Sequence, residues 1–182
     1  MYFAALLART EDGWQASDTE LDNVETLSDL SDLARESAAE AGGLDDETVL
    51  VLIEQEDAWF GVIRVDGEED PRVYVSDAAA ASRSSYGEIL LTDELLGRDP
   101  ARADDLTVPD LDGTEDGDGP DETGADAGGP ADDAVPAGPV GEAALLDDLG
   151  ISEKELLSLG VGDALGEIAE VLGAAEVMEA VR

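Results

Sequence analysis

All seven aromatic side chains, Tyr2, Phe3, Trp14, Trp59, Phe60, Tyr74 and Tyr86, lie in the first half of this 182-residue chain. Rings bury the largest apolar areas, so a core built from large side chains belongs to that half. Further on, Asp112 to Pro139 consists almost entirely of Asp, Glu, Gly, Pro and Ala. Such a stretch cannot bury enough surface to offset a backbone entropy of about 1–2 kcal/mol per residue. Aliphatic residues return, without aromatics, from Gly141. The expected organisation is an α+β domain over 1–97, a disordered acidic linker over 98–140, and a small helical segment over 141–182.

Within the first domain, Tyr2 to Arg9 reads as a strand, and Asp12-Gly13 turns it into a hairpin partner at Trp14-Gln15-Ala16. Leu27, Leu30, Leu33, Ala34, Ala38 and Ala41 follow helical spacing, with a capping box at Thr26 and Asp29 and a glycine stop at Gly42-Gly43. Thr48 to Glu54 is dense enough in β-branched and apolar residues for a central strand, with Trp59 to Val65 as its hairpin partner. Arg72 to Val75 alternates as a half-buried strand, and Ser76 can cap a helix through Ala78–Ala81 towards Tyr86. Turns of a few residues favour antiparallel pairing, because parallel strands need longer crossovers. The predicted fold is therefore α+β, a mostly antiparallel sheet of about five strands with helices on one face.

In the last segment, Ser152 and Glu155 form a second capping box, and Leu165, Ile168, Ala169 and Leu172 recur at helical spacing. Forty-two residues lie near the lower limit for independent folding. The segment is expected to pack on the first domain, on a copy of itself or on a partner.

The chemistry open to this chain is narrow. It has 47 acidic residues against 9 basic ones, a net charge of -38, and neither histidine nor cysteine. Imidazole and thiolate supply most zinc, haem and iron–sulfur ligands and much nucleophilic or general-base machinery. Bare nucleic acid and anionic membranes repel a polyanion, so neither is expected as a direct partner. The longest bulky aliphatic run, Val49 to Ile53, is far short of the roughly 20 residues that span a bilayer. No basic n-region marks a secretory leader, and the absence of cysteine suits a reducing compartment. A cytoplasmic protein without a cofactor is expected.

Individual motifs add little catalytic content. Asp112 to Gly117 resembles the first half of an EF-hand loop, but its twelfth position is Thr123 and flanking helices are missing. Paired carboxylates such as Asp45-Asp46 and Asp147-Asp148 occur by chance among so many acids. No Walker or Rossmann glycine pattern is present. Catalytic, cofactor and metal residues are accordingly assigned to none. The candidate partner-binding residues are Trp59 and Phe60, which could anchor an interface, and Arg83, Ser84 and Tyr86 in the polar cluster Ser82–Tyr86. The competing expectation is that at least one of Trp59 and Phe60 is core and that Arg83 pairs with a nearby carboxylate at a helix end.

Four segments carry a family resemblance: Met1 to Leu7, Glu54 to Gly61, Val73 to Ala78 and Tyr86 to Leu91. Together they resemble the actinobacterial tRNA adenosine deaminase-associated protein family, as do, more loosely, the helices from Leu145 to Val181. Eight arginines to one lysine, with abundant alanine, glycine and aspartate, suit a GC-rich genome. The resemblance implies association with a tRNA adenosine deaminase but brings no catalytic or binding residues with it. The deaminase itself needs His and Cys ligands for zinc, which this chain lacks. The expected role is a non-enzymatic accessory protein contacting another protein, with that deaminase as the candidate partner and self-association open. The alternatives are an acidic regulator that mimics nucleic acid before a basic partner, and a small enzyme using carboxylates and magnesium.

Overall fold

The computed structural model describes residues 2–42, 48–96 and 135–181. The opening apolar run forms β1 (Tyr2–Thr10), and a two-residue turn returns it as β2 (Gly13–Asp18). Gly13 opens β2 at a φ of 124°, and the Thr10 hydroxyl closes the turn by donating to its carbonyl at 2.8 Å. α1 (Leu27–Glu40) begins at the expected capping box, with Thr26 and Asp29 each accepting the other's amide. β3 (Thr48–Gln55), β4 (Trp59–Asp66) and β5 (Arg72–Val75) follow as a meander, then two short helices, α2 (Ala78–Ala81) and α3 (Ser85–Leu90). After residue 134 come β6 (Val140–Gly141), a single 3₁₀ turn at Asp147–Leu149, α4 (Glu153–Ser158), α5 (Ala164–Leu172) and α6 (Ala175–Val181).

The strands form one sheet in the order β2-β1-β3-β4-β5-β6, with every neighbouring pair antiparallel. The fold is α+β with an antiparallel sheet, as expected, and gains a sixth strand that begins at the last residue assigned to the linker. Residues 98–134 of that linker, including the Asp112–Gly117 motif, lie outside the described residues, as does Asp45-Asp46. The described residues 135–140 run onto the sheet edge. The Gly138 carbonyl accepts from the Ala78 amide at 2.8 Å, and Val140 and Gly141 pair with Val75 and Tyr74. Gly141, at a φ of 98°, is a position only glycine can fill, because a β-carbon there would sit 2.0 Å from the Val73 carbonyl oxygen.

Strand periodicity explains why the sheet is apolar on both sides. Leu6, Val51, Ile63 and Val73 stand in register on one face, covered by α1, α2 and α3 through Leu30, Ala34, Ala81 and Leu90. Ala5, Leu52, Val62 and Tyr74 stand in register on the other. The second face is covered by the C-terminal segment, through Leu145, Leu146, Leu156, Leu165, Ile168 and Met178. Of the three places that segment could pack, it takes the first domain. A continuous apolar run such as Val49–Ile53 is what a strand buried on both faces requires.

One local expectation fails. Asp77, and not Ser76, caps α2, accepting from the Ala80 amide at 2.9 Å. Ser76 instead continues the β4–β5 pairing, its hydroxyl accepting from the Phe60 amide at 2.9 Å. Nor does the helix run on to Tyr86. Gly87 is pressed so closely on Ala81 that a β-carbon there would lie 2.0 Å from the Ala81 carbonyl oxygen, which folds α3 back against α2.

Candidate functional site

The residues singled out from the sequence separate into core and surface. Trp59 and Phe60 are both fully buried, and because successive strand residues alternate, they enter opposite faces of the sheet. The Trp59 indole N–H donates to the Gln55 side-chain oxygen at 2.8 Å, and Phe60 packs at a tilt on Tyr74 with 5.9 Å between centroids. Two core layers instead of one account for burying both, so neither ring is at the surface for a partner to touch. Arg83 is exposed, and Ser84, half-buried, precedes α3 without a side-chain cap bond. No ion pair of Arg83 occurs among the described residues, so the expected carboxylate partner is not found there.

Tyr86 occupies a defined setting. Its ring stacks on Tyr2 at 3.8 Å between centroids and 8° between planes, and its hydroxyl donates to Asp22 Oδ1 at 3.3 Å. The Tyr2 hydroxyl is buried with no hydrogen-bond partner in the structure. Burial, with the neighbouring Tyr86 and Asp22, pushes the Tyr2 phenol far above its ordinary range. It therefore stays neutral at any physiological pH and cannot serve as a general base. The stack joins the start of β1 to α3, a structural role.

Among the described residues, three shallow grooves can be named. One, of roughly 530 Å³, lies where β1 starts beside the β3–β4 turn and is bordered by Glu54, Glu56, Asp57 and Asp163. The other two flank α5. Between α4 and α5, a groove of roughly 470 Å³ has Ile151, Leu159, Ile168 and Val171 along it and Glu155, Glu167 and Glu170 at its edges. On the other side of α5, a groove of roughly 400 Å³ shares Glu167 and Glu170 and reaches Met178 and Glu179. Of the exposed large hydrophobic residues of the described structure, Val171 at 53 % lines the α4–α5 groove and Val161 at 38 % the first groove, while Leu157 at 46 % lines none of the three.

The electrostatics of α4 and α5 are one-sided. Glu155 is fixed by the second capping box, accepting the Ser152 amide at 2.9 Å and the Ser152 hydroxyl at 2.7 Å. The Ser152 side-chain and backbone bonds hold its pKa below the usual carboxylate range. Asp163, Glu167 and Glu170 recur at i, i+4 and i+7, in line along α5. None of the three has an ion-pair partner among the described residues. Lys154 is the single basic residue between 135 and 181.

A network of charged contacts lies on the sheet itself. Arg64 stands in β4, 8 % exposed, on the face covered by the C-terminal segment. Its Nε donates to Asp66 at 2.7 Å, and one Nη donates to the Leu145 carbonyl at 2.7 Å and to Asp148 Oδ1. The other Nη reaches Asp148 Oδ2 at 2.9 Å, completing a bidentate pair. Sequence reasoning passed over Arg64 and treated Asp148 as chance. A lone arginine inside the apolar strand Trp59–Val65 was the available signal; its partner is 84 residues away. Among the described residues no three or more acidic side chains are grouped so as to hold a metal ion, and no helix is long and apolar enough to cross a membrane.

The family model described as Rv3753c-like tRNA adenosine deaminase-associated protein matches residues 2–175. No curated protein and no solved structure gives a match.

Proposed function

The chain belongs to the Rv3753c-like tRNA adenosine deaminase-associated protein family, and from that membership we propose that it is a non-enzymatic accessory protein that binds a tRNA adenosine deaminase in the cytoplasm. The observation that carries this reading is the family description, taken with a chain that has no histidine or cysteine and a net charge of -38. Zinc deaminases hold their metal through His and Cys, so the catalytic part of any joint activity belongs to the partner. An enzyme that handles tRNA needs a basic substrate face, and a polyanion is attracted to such a face by long-range fields. The contact is thus protein to protein and electrostatically steered.

Co-elution of the two purified proteins by size-exclusion chromatography tests this. A complex is expected at low ionic strength that separates into its components at high salt, since screening shortens the reach of surface charge to about 3 Å at 1 M. Separate elution at low ionic strength would remove the proposal.

A further inference from the structure

The groove between α4 and α5 is left uncovered by the described residues, and its chemistry is mixed. Its interior is apolar, with Ile151 and Ile168 buried at its base, while Val171 is more than half exposed beside it. Its edges carry Glu155, Glu167 and Glu170. Leu157 and Val161, the other exposed bulky aliphatics of the described residues, do not line this groove; Val161 borders the one beside the β3–β4 turn. An apolar groove rimmed by charge is the pattern of an interaction site.

The charges select the occupant. Like charges at i, i+3 or i, i+4 on a helix repel one another, and Asp163, Glu167 and Glu170 form such a series with no ion-pair partner among the described residues. Glu170 also stands in the last turn of α5, where the helix dipole favours cations, and no basic residue is present there. A cation supplied from outside relieves both conflicts. A second copy of this chain would bring the same sign of charge and meet repulsion. We infer that the α4–α5 groove is a docking site for a basic amphipathic helix of a partner protein, with aliphatic side chains laid on Ile151, Ile168 and Val171 and lysine or arginine paired with Glu167 and Glu170. The mode is helix-in-groove recognition. This deepens the proposed accessory role by naming the surface, and it rests on that role only for the identity of the partner.

The test uses the full chain and a synthetic helical peptide of leucine and lysine at helical spacing, with a leucine–glutamate peptide as its counterpart. Amide chemical shifts are followed during titration at low ionic strength. Shifts concentrated between residues 151 and 171 with the lysine peptide, and none with the glutamate peptide, are expected. Glu167→Lys with Glu170→Lys should weaken binding about tenfold or more, the effect of losing roughly 1.4 kcal/mol of paired charge. Val171→Asp should weaken it similarly. Glu36→Lys with Glu40→Lys, on α1 across the sheet, gives the same change in net charge and should have at most about a twofold effect.

Shifts spread over the surface, equal losses from both double reversals, or binding of the glutamate peptide would overturn the docking site. So would a stable dimer by sedimentation whose interface maps to this groove. Repeating the series with a purified tRNA adenosine deaminase separates the two claims. Deaminase binding that survives the α5 reversals sinks the groove and leaves the accessory role standing. Peptide binding at the groove without deaminase binding does the opposite.

Discussion

A chain ended at residue 134 should lose its cooperative unfolding transition and bind the hydrophobic dye ANS. The removed segment is the cover of an entire sheet face. Without it, Leu7, Leu50, Leu52, Phe60 and Val62, all fully buried in the intact protein, would meet water. Burying a side chain of this size contributes about 1.5–3 kcal/mol, so five of them reach the order of 10 kcal/mol. That is as large as the whole stability of a typical domain, about 5–15 kcal/mol. The sheet also loses β6 and the bond from the Glu142 amide to the Val73 carbonyl at 2.9 Å. Urea unfolding followed by tryptophan fluorescence is the measurement, since Trp14 packs against this face. A truncated chain that unfolded with an unchanged midpoint would show that the two parts fold separately.

The second large effect concerns Arg64. Replacing it with Met keeps the apolar stem and removes the guanidinium that joins Asp66, Asp148 and the Leu145 carbonyl. Breaking a buried pair by removing one partner costs about 3–5 kcal/mol. The Asp148 side chain is 60 % exposed and regains water, so about 2–3 kcal/mol is the expected loss for Arg64→Met after that discount. Asp148→Asn should cost less, because the buried guanidinium keeps Asp66 and the Leu145 carbonyl and an asparagine oxygen can still accept from it. The bond to Arg64 holds the Asp148 carboxyl below the usual carboxylate range. A depressed folded-state pKa contributes stability above the unfolded value, and that stability is lost as pH falls through the folded one. The difference in stability between the native protein and Arg64→Met should therefore narrow on acidification below the ordinary aspartate pKa. A difference unchanged from neutral to strongly acidic pH would show that the pair contributes nothing through its charge.

How much of this was readable in the residues follows from the range of each interaction. Both capping boxes, Thr26 with Asp29 and Ser152 with Glu155, span three positions and were legible as written. So was the antiparallel meander, because turns of a few residues leave no room for a crossover. Trp59 and Phe60 were harder. Strand periodicity places one of them inward, and only the cover over the second face buries the other as well. That cover comes from a segment far along the chain, and no pattern within either segment specifies the docking. Ser76 and Asp77 are both good caps, and the choice between them was settled by the Phe60 amide across the sheet. The α4–α5 groove depends on how two short helices meet, which spacing alone does not encode.

Calorimetric titration of the full chain into a purified tRNA adenosine deaminase, over a series of salt concentrations, decides whether the proposed electrostatically steered contact with a protein partner exists. Saturable binding whose affinity falls steadily as salt rises is expected, with no release of ammonia from adenosine or tRNA by the chain alone. Affinity that is indifferent to salt, no binding at low salt, or turnover of substrate by the isolated chain would contradict it.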